Sequence, residues 1–153
     1  MAQLKRNEIM NIVSGLAQIA RMPHIIGNAK FTYAMAKNRR NLIKEAEKIQ
    51  EDTKIQLANY GEEMEEIAKK FELKGKDGKP QLNQMGQSSL DPVFKLDFDK
   101  AKKEIEEKYK EDIDTNKSYM EEKVDVDIHK IENANFPDMP VGVADLIFPL
   151  RRE

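Results

Sequence analysis

Apolar residues return every three or four positions over most of this chain, and in two places they alternate instead. Across residues 6–21, Ile9, Ile12, Val13, Leu16, Ile19 and Ala20 line one face of a helix. Gly15 weakens that helix slightly. Pro23 and Gly27 in "MPHIIGN" end it, with Ile25 and Ile26 inside the turn. A second helix begins after Asn28, a good N-cap, and meets no proline before Pro80. Its stripe runs through Phe31, Met35, Leu42, Ala46, Ile49, Leu57, Tyr60, Met64, Ile67 and Phe71. Asn38 and Thr53 also occupy stripe positions, and a buried Asn in such a seam sets register at some cost in stability. Unbroken from Asn28 to Phe71, this helix would be about 65 Å long, with Gly61 its expected bend. A helix of that length cannot bury its stripe against itself, so it calls for an antiparallel return helix, another subunit, or both.

The pattern stops at residues 72–97. Asp77-Gly78 suits a tight reverse turn, and "LNQMGQSSLDP" is polar and loop-like. "VFKLDF" alternates and predicts a short strand, part of a small hairpin at the tip of the long arm. A third helix should then run from Asp97 or Asp99 to about Glu121 on a stripe of Phe98, Ala101, Ile105, Tyr109, Ile113, Asn116 and Met120. It is about half as long as the second helix and can cover only the half between Ile49 and Phe71. The half from Phe31 to Leu42 is left to the first helix and the C-terminal region. "KVDVDIHKI" alternates Val124, Val126 and Ile128 with Asp125, Asp127 and His129, the pattern of a strand with one buried face. It needs "VFKL", another chain or the helices as a partner. In "FPDMPVGVADLIFPLRRE", Val141 to Phe148 predicts a short helix with Pro140 in its first turn, and Phe136, Met139, Val143, Leu146, Ile147 and Phe148 should seal one end of the bundle.

These elements predict a mainly α (α+β) fold. Its centre is an antiparallel long-helix hairpin with an N-terminal helix, a small β element and a short C-terminal helix. The expected organisation is a single domain over 1–153. Residues 1–27 are the N-terminal helix and turn, 28–121 the hairpin with its tip loop at 72–97, and 122–153 the strand and C-terminal cap. A chain of 153 residues can bury one modest core.

Charge changes this picture more than composition does. Charged residues make up 35% of the chain, above the globular average of roughly 25%, as suits long exposed helices. The net charge is only −2, but it is uneven: +7 over residues 1–44, −5 over 45–72, +2 over 73–96 and −6 over 97–153. Such polarity can steer a partner, or pair one end with another copy. With no cysteine, the chain has neither a disulfide framework nor thiolate chemistry. "MAQLKRNEIMNIV" lacks a signal-peptide core, and no run of about 18 apolar residues predicts a membrane span. The expected location is the host cytoplasm, or a virion assembled there.

No glycine-rich phosphate loop, GxSxG or HExxH motif occurs, and no enzyme, cofactor or metal site is expected. Asp125, Asp127 and His129 share a strand face that could ligate a cation, though a solvated face explains the same alternation. The acidic runs read as solvated helix faces with i,i+4 pairs such as Glu65–Lys69, Lys100–Glu104, Lys102–Glu106 and Lys103–Glu107. The basic start of the second helix is the candidate partner-binding site. It comprises Lys30, Lys37, Arg39, Arg40 and Lys44, of which Lys30, Lys37, Arg40 and Lys44 step along one face, with Lys5, Arg6 and Arg21 before them. Tyr33 lies off the packing stripe and is the aromatic free for a partner. Phosphates or an acidic protein surface would fit this face, while the acidic remainder and the lack of a nucleic-acid motif favour protein.

The order of segments, and above all "KFTYAMAKNRRNLIKEAEKI" and "VDVDIHKI", resembles small uncharacterised proteins of tailed bacteriophages and prophages that carry a long charged helical hairpin. The proline-punctuated tail departs from their more purely helical ones. The resemblance implies a phage setting and carries over no catalytic residue. The function expected is a non-enzymatic structural or assembly-interaction protein acting through helical, coiled-coil-like surfaces, as a homo-oligomer or with another phage protein. Two alternatives stay open. One is a nucleic-acid-associated protein using the basic face at 30–44. The other is an inhibitor of a host defence enzyme, which carboxylates clustered on one face of the third helix would favour.

Overall fold

The computed structural model describes residues 1–25 and 27–152; the expected place of Ile26 inside the turn lies outside them. The fold is mainly α with small β elements. In order, the elements are β1 (Ala2–Lys5), α1 (Arg6–Ala20), α2 (Ala29–Gln56), α3 (Ala58–Lys70), α4 (Lys95–Lys108), α5 (Lys110–Glu121), β2 (Lys123–Val126), β3 (Ile131–Glu132), α6 (Val141–Leu146) and β4 (Arg151–Arg152). Short 3-10 turns lie at Pro92–Phe94, Asn133–Asn135 and Phe148–Leu150. The chain forms two compact units, Met1–Asp52 with Lys117–Glu153, and Thr53–Asn116.

The first unit holds the core. Ile9, Ile12 and Leu16 of α1 meet Leu42, Ala46 and Ile49 of α2, and Leu4, Val126, Ile147 and Leu150 close the cluster. Phe31, Ala34 and Ile131 make a smaller cluster against Phe136 and Met139. The Phe31 and Phe136 rings meet edge-on at 5.6 Å. The half of the long stripe from Phe31 to Leu42 is therefore buried, as expected, by α1 and the C-terminal region, joined by residues of the strands. Asn28 caps α2, its Oδ1 accepting from the Phe31 amide at 2.9 Å. Gly15 has a packing role that helix propensity hides. A Cβ there would stand 2.7 Å from Ile147 Cγ2 and 3.0 Å from Leu146 Cβ, so the glycine lets α6 lie directly on α1. Phe148, expected to seal the end, is 63% exposed, and Leu150 takes its place. The helix stops at Leu146, and the 3-10 turn that follows rotates Phe148 outward.

The predicted strand also finds a different partner. β2 pairs antiparallel with β1, Ala2 opposite Val126 and Lys5 opposite Lys123. "VFKLDF" is not a strand. Asp91 accepts from the Val93 amide at 3.0 Å and caps a 3-10 turn that runs straight into α4 at Lys95. The reason is spacing: Phe94 and Phe98 are four apart, and both rings pack on Phe71, at 5.7 and 6.3 Å. The alternation extends no further than Val126 as strand, and the short parallel pair β3–β4 follows it.

The second unit is an antiparallel hairpin of α3 and α4. Tyr60 faces Tyr109 at 6.2 Å, and Lys108 Nζ reaches Glu63 at 2.6 Å. Asn116, the seam Asn of the return helix, donates to Gln56 at 2.9 Å and to Thr53 at 3.2 Å. Both arms break once. Leu57 separates α2 from α3, and Tyr109 separates α4 from α5. The expected bend at Gly61 is instead four residues earlier, because Gly61 sits inside α3 with its amide bonded to the Leu57 carbonyl at 2.8 Å. At the tip, Gly78 adopts φ +76 in the Asp77-Gly78 turn, which glycine tolerates without strain. Isolated bridges, Glu72 with Leu90 and Lys74 with Pro80, replace the expected hairpin.

Candidate partner-binding surface

One face of α2 is locked to the core, and this settles what its other face can do. Asn38, fully buried, donates from Nδ2 to the His129 carbonyl at 2.9 Å and accepts from the His129 amide at 2.6 Å. It thus pairs with both backbone groups of one residue, satisfying both of its own polar groups. Asn41 Nδ2 donates to the Asp127 carbonyl and carboxylate, both at 3.2 Å. These side chains hold residues 127–129 along α2 after β2 ends.

With that rotation set, Lys30, Arg40 and Lys44 are exposed and Lys37 is half-buried. Among the described residues, none of them makes an ion pair or hydrogen bond. Tyr33 is 60% exposed and meets the His129 ring edge-on at 5.7 Å. Lys30 and Tyr33 line an open cavity of about 260 Å³ with His129, Lys130, Glu132 and Arg152, floored by Ala34 and Ile131. Lys130 and Arg152 are cations that no sequence pattern tied to this place, and Arg152 is already paired with Glu132 at 3.1 Å.

Arg39 does not belong to this face. Nine residues beyond Lys30, at 3.6 residues per turn, it lies half a turn away. It lines a separate groove with Leu16, Ile19, Ile25, Phe31 and Met35. Lys5 and Arg6 are not free either. Lys5 Nζ binds Glu121 at 2.6 Å, and Arg6 binds Glu122 at 2.5 Å and lies 3.9 Å over the Tyr119 ring. The Lys5 hydrogen bond holds the Glu121 carboxyl below its ordinary value, and Glu121 raises Lys5 in return. Burial, helped by its hydrogen bond to Asp52 at 2.6 Å, pushes the Tyr119 hydroxyl up to about 12.

Lys37, Arg40, Lys44 and Lys48 therefore form a basic stripe without close ion pairs, its like charges at i,i+3 and i,i+4 each costing roughly 0.2–0.5 kcal/mol and Glu45, Glu47, Glu51 and Asp52 bordering its C-terminal end. A second stripe mirrors it. Glu104, Glu107, Glu111 and Asp114 step by three, four and three, and all are exposed. The helical phase survives the break, since the Tyr109 amide bonds Ile105 and the Ile113 amide bonds Tyr109, both at 3.0 Å. Of the unlike pairs expected on these arms, Glu65–Lys69 forms at 3.2 Å and Lys102–Glu106 at 3.9 Å. Lys100–Glu104 and Lys103–Glu107 do not form. The acidic stripe was legible in the spacing, but the neighbouring lysines masked it.

Among the described residues, no group of three or more His, Asp or Glu side chains is placed to hold a metal ion. No helix among them is long and apolar enough to cross a membrane. No protein-family model, curated protein or solved structure matches the chain.

Proposed function

We propose that the chain is a non-enzymatic structural or assembly-interaction protein of a tailed phage. It binds another protein through its helical surfaces, in the host cytoplasm or the virion. The observation that carries this reading is the stripe Lys37, Arg40, Lys44 on α2: charged, without an internal partner, and mounted on a helix whose opposite face is buried. An acidic surface laid on this face relieves that repulsion and steers the encounter. The phage setting rests on the resemblance carried by "KFTYAMAKNRRNLIKEAEKI" and "VDVDIHKI". Mass spectrometry of phage particles and assembly intermediates should find this chain in fixed proportion to the other components. Finding it in neither, with particle yield unchanged on deletion of the gene, overturns the reading.

The exposed stripe Glu104, Glu107, Glu111, Asp114 favours a second reading, an inhibitor that presents carboxylates in place of DNA phosphates to a host defence enzyme. That reading requires a monomer that binds a basic enzyme surface. Contact of nucleic acid itself with the cavity around Tyr33 has a separate readout, a mobility shift that strengthens as salt is lowered.

A further inference from the structure

We infer that the partner of the α2 stripe is the α4–α5 stripe of a second copy of this chain, packed antiparallel. The inference rests on the protein-binding reading above and names its partner. When the two stripes are laid antiparallel, Lys37 faces Asp114, Arg40 faces Glu111 and Lys44 faces Glu107, with Lys48 one residue out of step with Glu104. At the far end the signs reverse together, with Glu51 facing Lys100. The spacings match from Lys37 to Lys44 and realign at Glu51, because both stripes follow the three-and-four rhythm of helices in contact, where flanking charges choose partner and orientation. The register is selective. A shift of one heptad one way sets Lys44 against Lys100, and the other way sets Glu51 against Glu107. These ten side chains are exposed except for the half-buried Lys37, and none makes an ion pair among the described residues. Lys103 and Lys110 flank the acidic stripe, and Lys103 is the one like charge the register sets opposite the basic stripe, at Lys48. An unrelated acidic protein could neutralise the basic stripe, but the matching reversal at Glu51 and Lys100 is accounted for by a second copy.

A charge-swap experiment decides this. Sedimentation velocity of the full chain at tens of micromolar and low salt should show self-association that weakens as salt rises. The triple variant Lys37→Glu, Arg40→Glu, Lys44→Glu should associate about tenfold more weakly or not at all, as should Glu107→Lys, Glu111→Lys, Asp114→Lys. The two variants mixed should associate with each other, with circular dichroism showing that both are folded. Three outcomes overturn the proposal: a monomeric wild type, variants that associate like the wild type, or a mixture that stays monomeric while circular dichroism shows both variants helical. A monomeric wild type found in phage particles would remove self-docking alone and leave the assembly reading standing.

Discussion

The two units solve the burial problem with different numbers of layers. In Met1–Asp52 with Lys117–Glu153, helices, strands and the C-terminal turn surround α2, and Ile9, Ile12, Leu42, Ile49, Ile147 and Leu150 are sealed from solvent. In Thr53–Asn116 two helices meet alone. No side chain of α3, α4 or α5 is fully buried, and among the residues of that unit only Phe71 at the tip is buried. Two cylinders in contact can shield only the line between them, so Tyr60, Ile67, Ile105 and Tyr109 remain half open. The same heptad-like stripe thus contributes very different amounts of apolar burial along its length. Stability should follow burial, so the hairpin amides should exchange at lower free energy than those of α1.

The most direct way to break this comparison is truncation of one aliphatic side chain in each unit. Leu42→Ala should cost about 3 kcal/mol and the half-buried Ile105→Ala about 1 kcal/mol, read from denaturant unfolding. Equal losses would mean the hairpin is as well buried as the core. The seam asparagines come next. Asn38→Ala leaves the His129 amide and carbonyl unpaired and should cost about 2 kcal/mol, whereas Asn116→Ala, with Thr53 and Gln56 close to water, should cost less than about 1 kcal/mol. The glycines offer a smaller contrast of opposite sign. Gly15→Ala should destabilise by about 1 kcal/mol, since the clash with Ile147 and Leu146 outweighs the helix-propensity gain. Gly61→Ala has no atom within 4 Å of the new Cβ and should stabilise by about 0.5–1 kcal/mol. A melting temperature that moves the same way for both would refute the packing argument for Gly15.

The last effect vanishes at neutral pH. Tyr119 is raised from 10.0 to about 12, so folding favours its protonated form. That contribution is complete below pH 10 and lost as pH rises through about 12. Tyr119→Phe should flatten the alkaline stability loss in this window without altering the profile near pH 7.

The hairpin was largely legible in the sequence because helical burial leaves a local periodic record. Phe31, Leu42, Ile49, Ile67 and Phe71 on one arm and Phe98, Ile105 and Ile113 on the other mark it out, and Asn28 marks the start. The N-terminal helix was legible to within one residue for the same reason. Less was legible where short range and long range compete. "VFKLDF" alternates like a strand, yet a capping Asp91 and the common target Phe71 make it helical. β1 is only four residues long, too short to carry a period, and its partner lies more than a hundred residues away. Helical spacing places Lys30, Lys37, Arg40, Lys44 and Tyr33 on one face, whereas Arg39 lies on another and Lys130 and Arg152 join the cavity only through the fold.

The sequence by itself determined which residues face inward along the long helices and where charge of each sign accumulates, because both follow from the 3.6-residue turn. The tertiary structure decided what covers α2, which strand receives β2, and that Asn38 pairs with the His129 backbone. Those outcomes depend on contacts between residues distant in the chain, and a local pattern of side chains holds no record of which distant backbone will come to satisfy it.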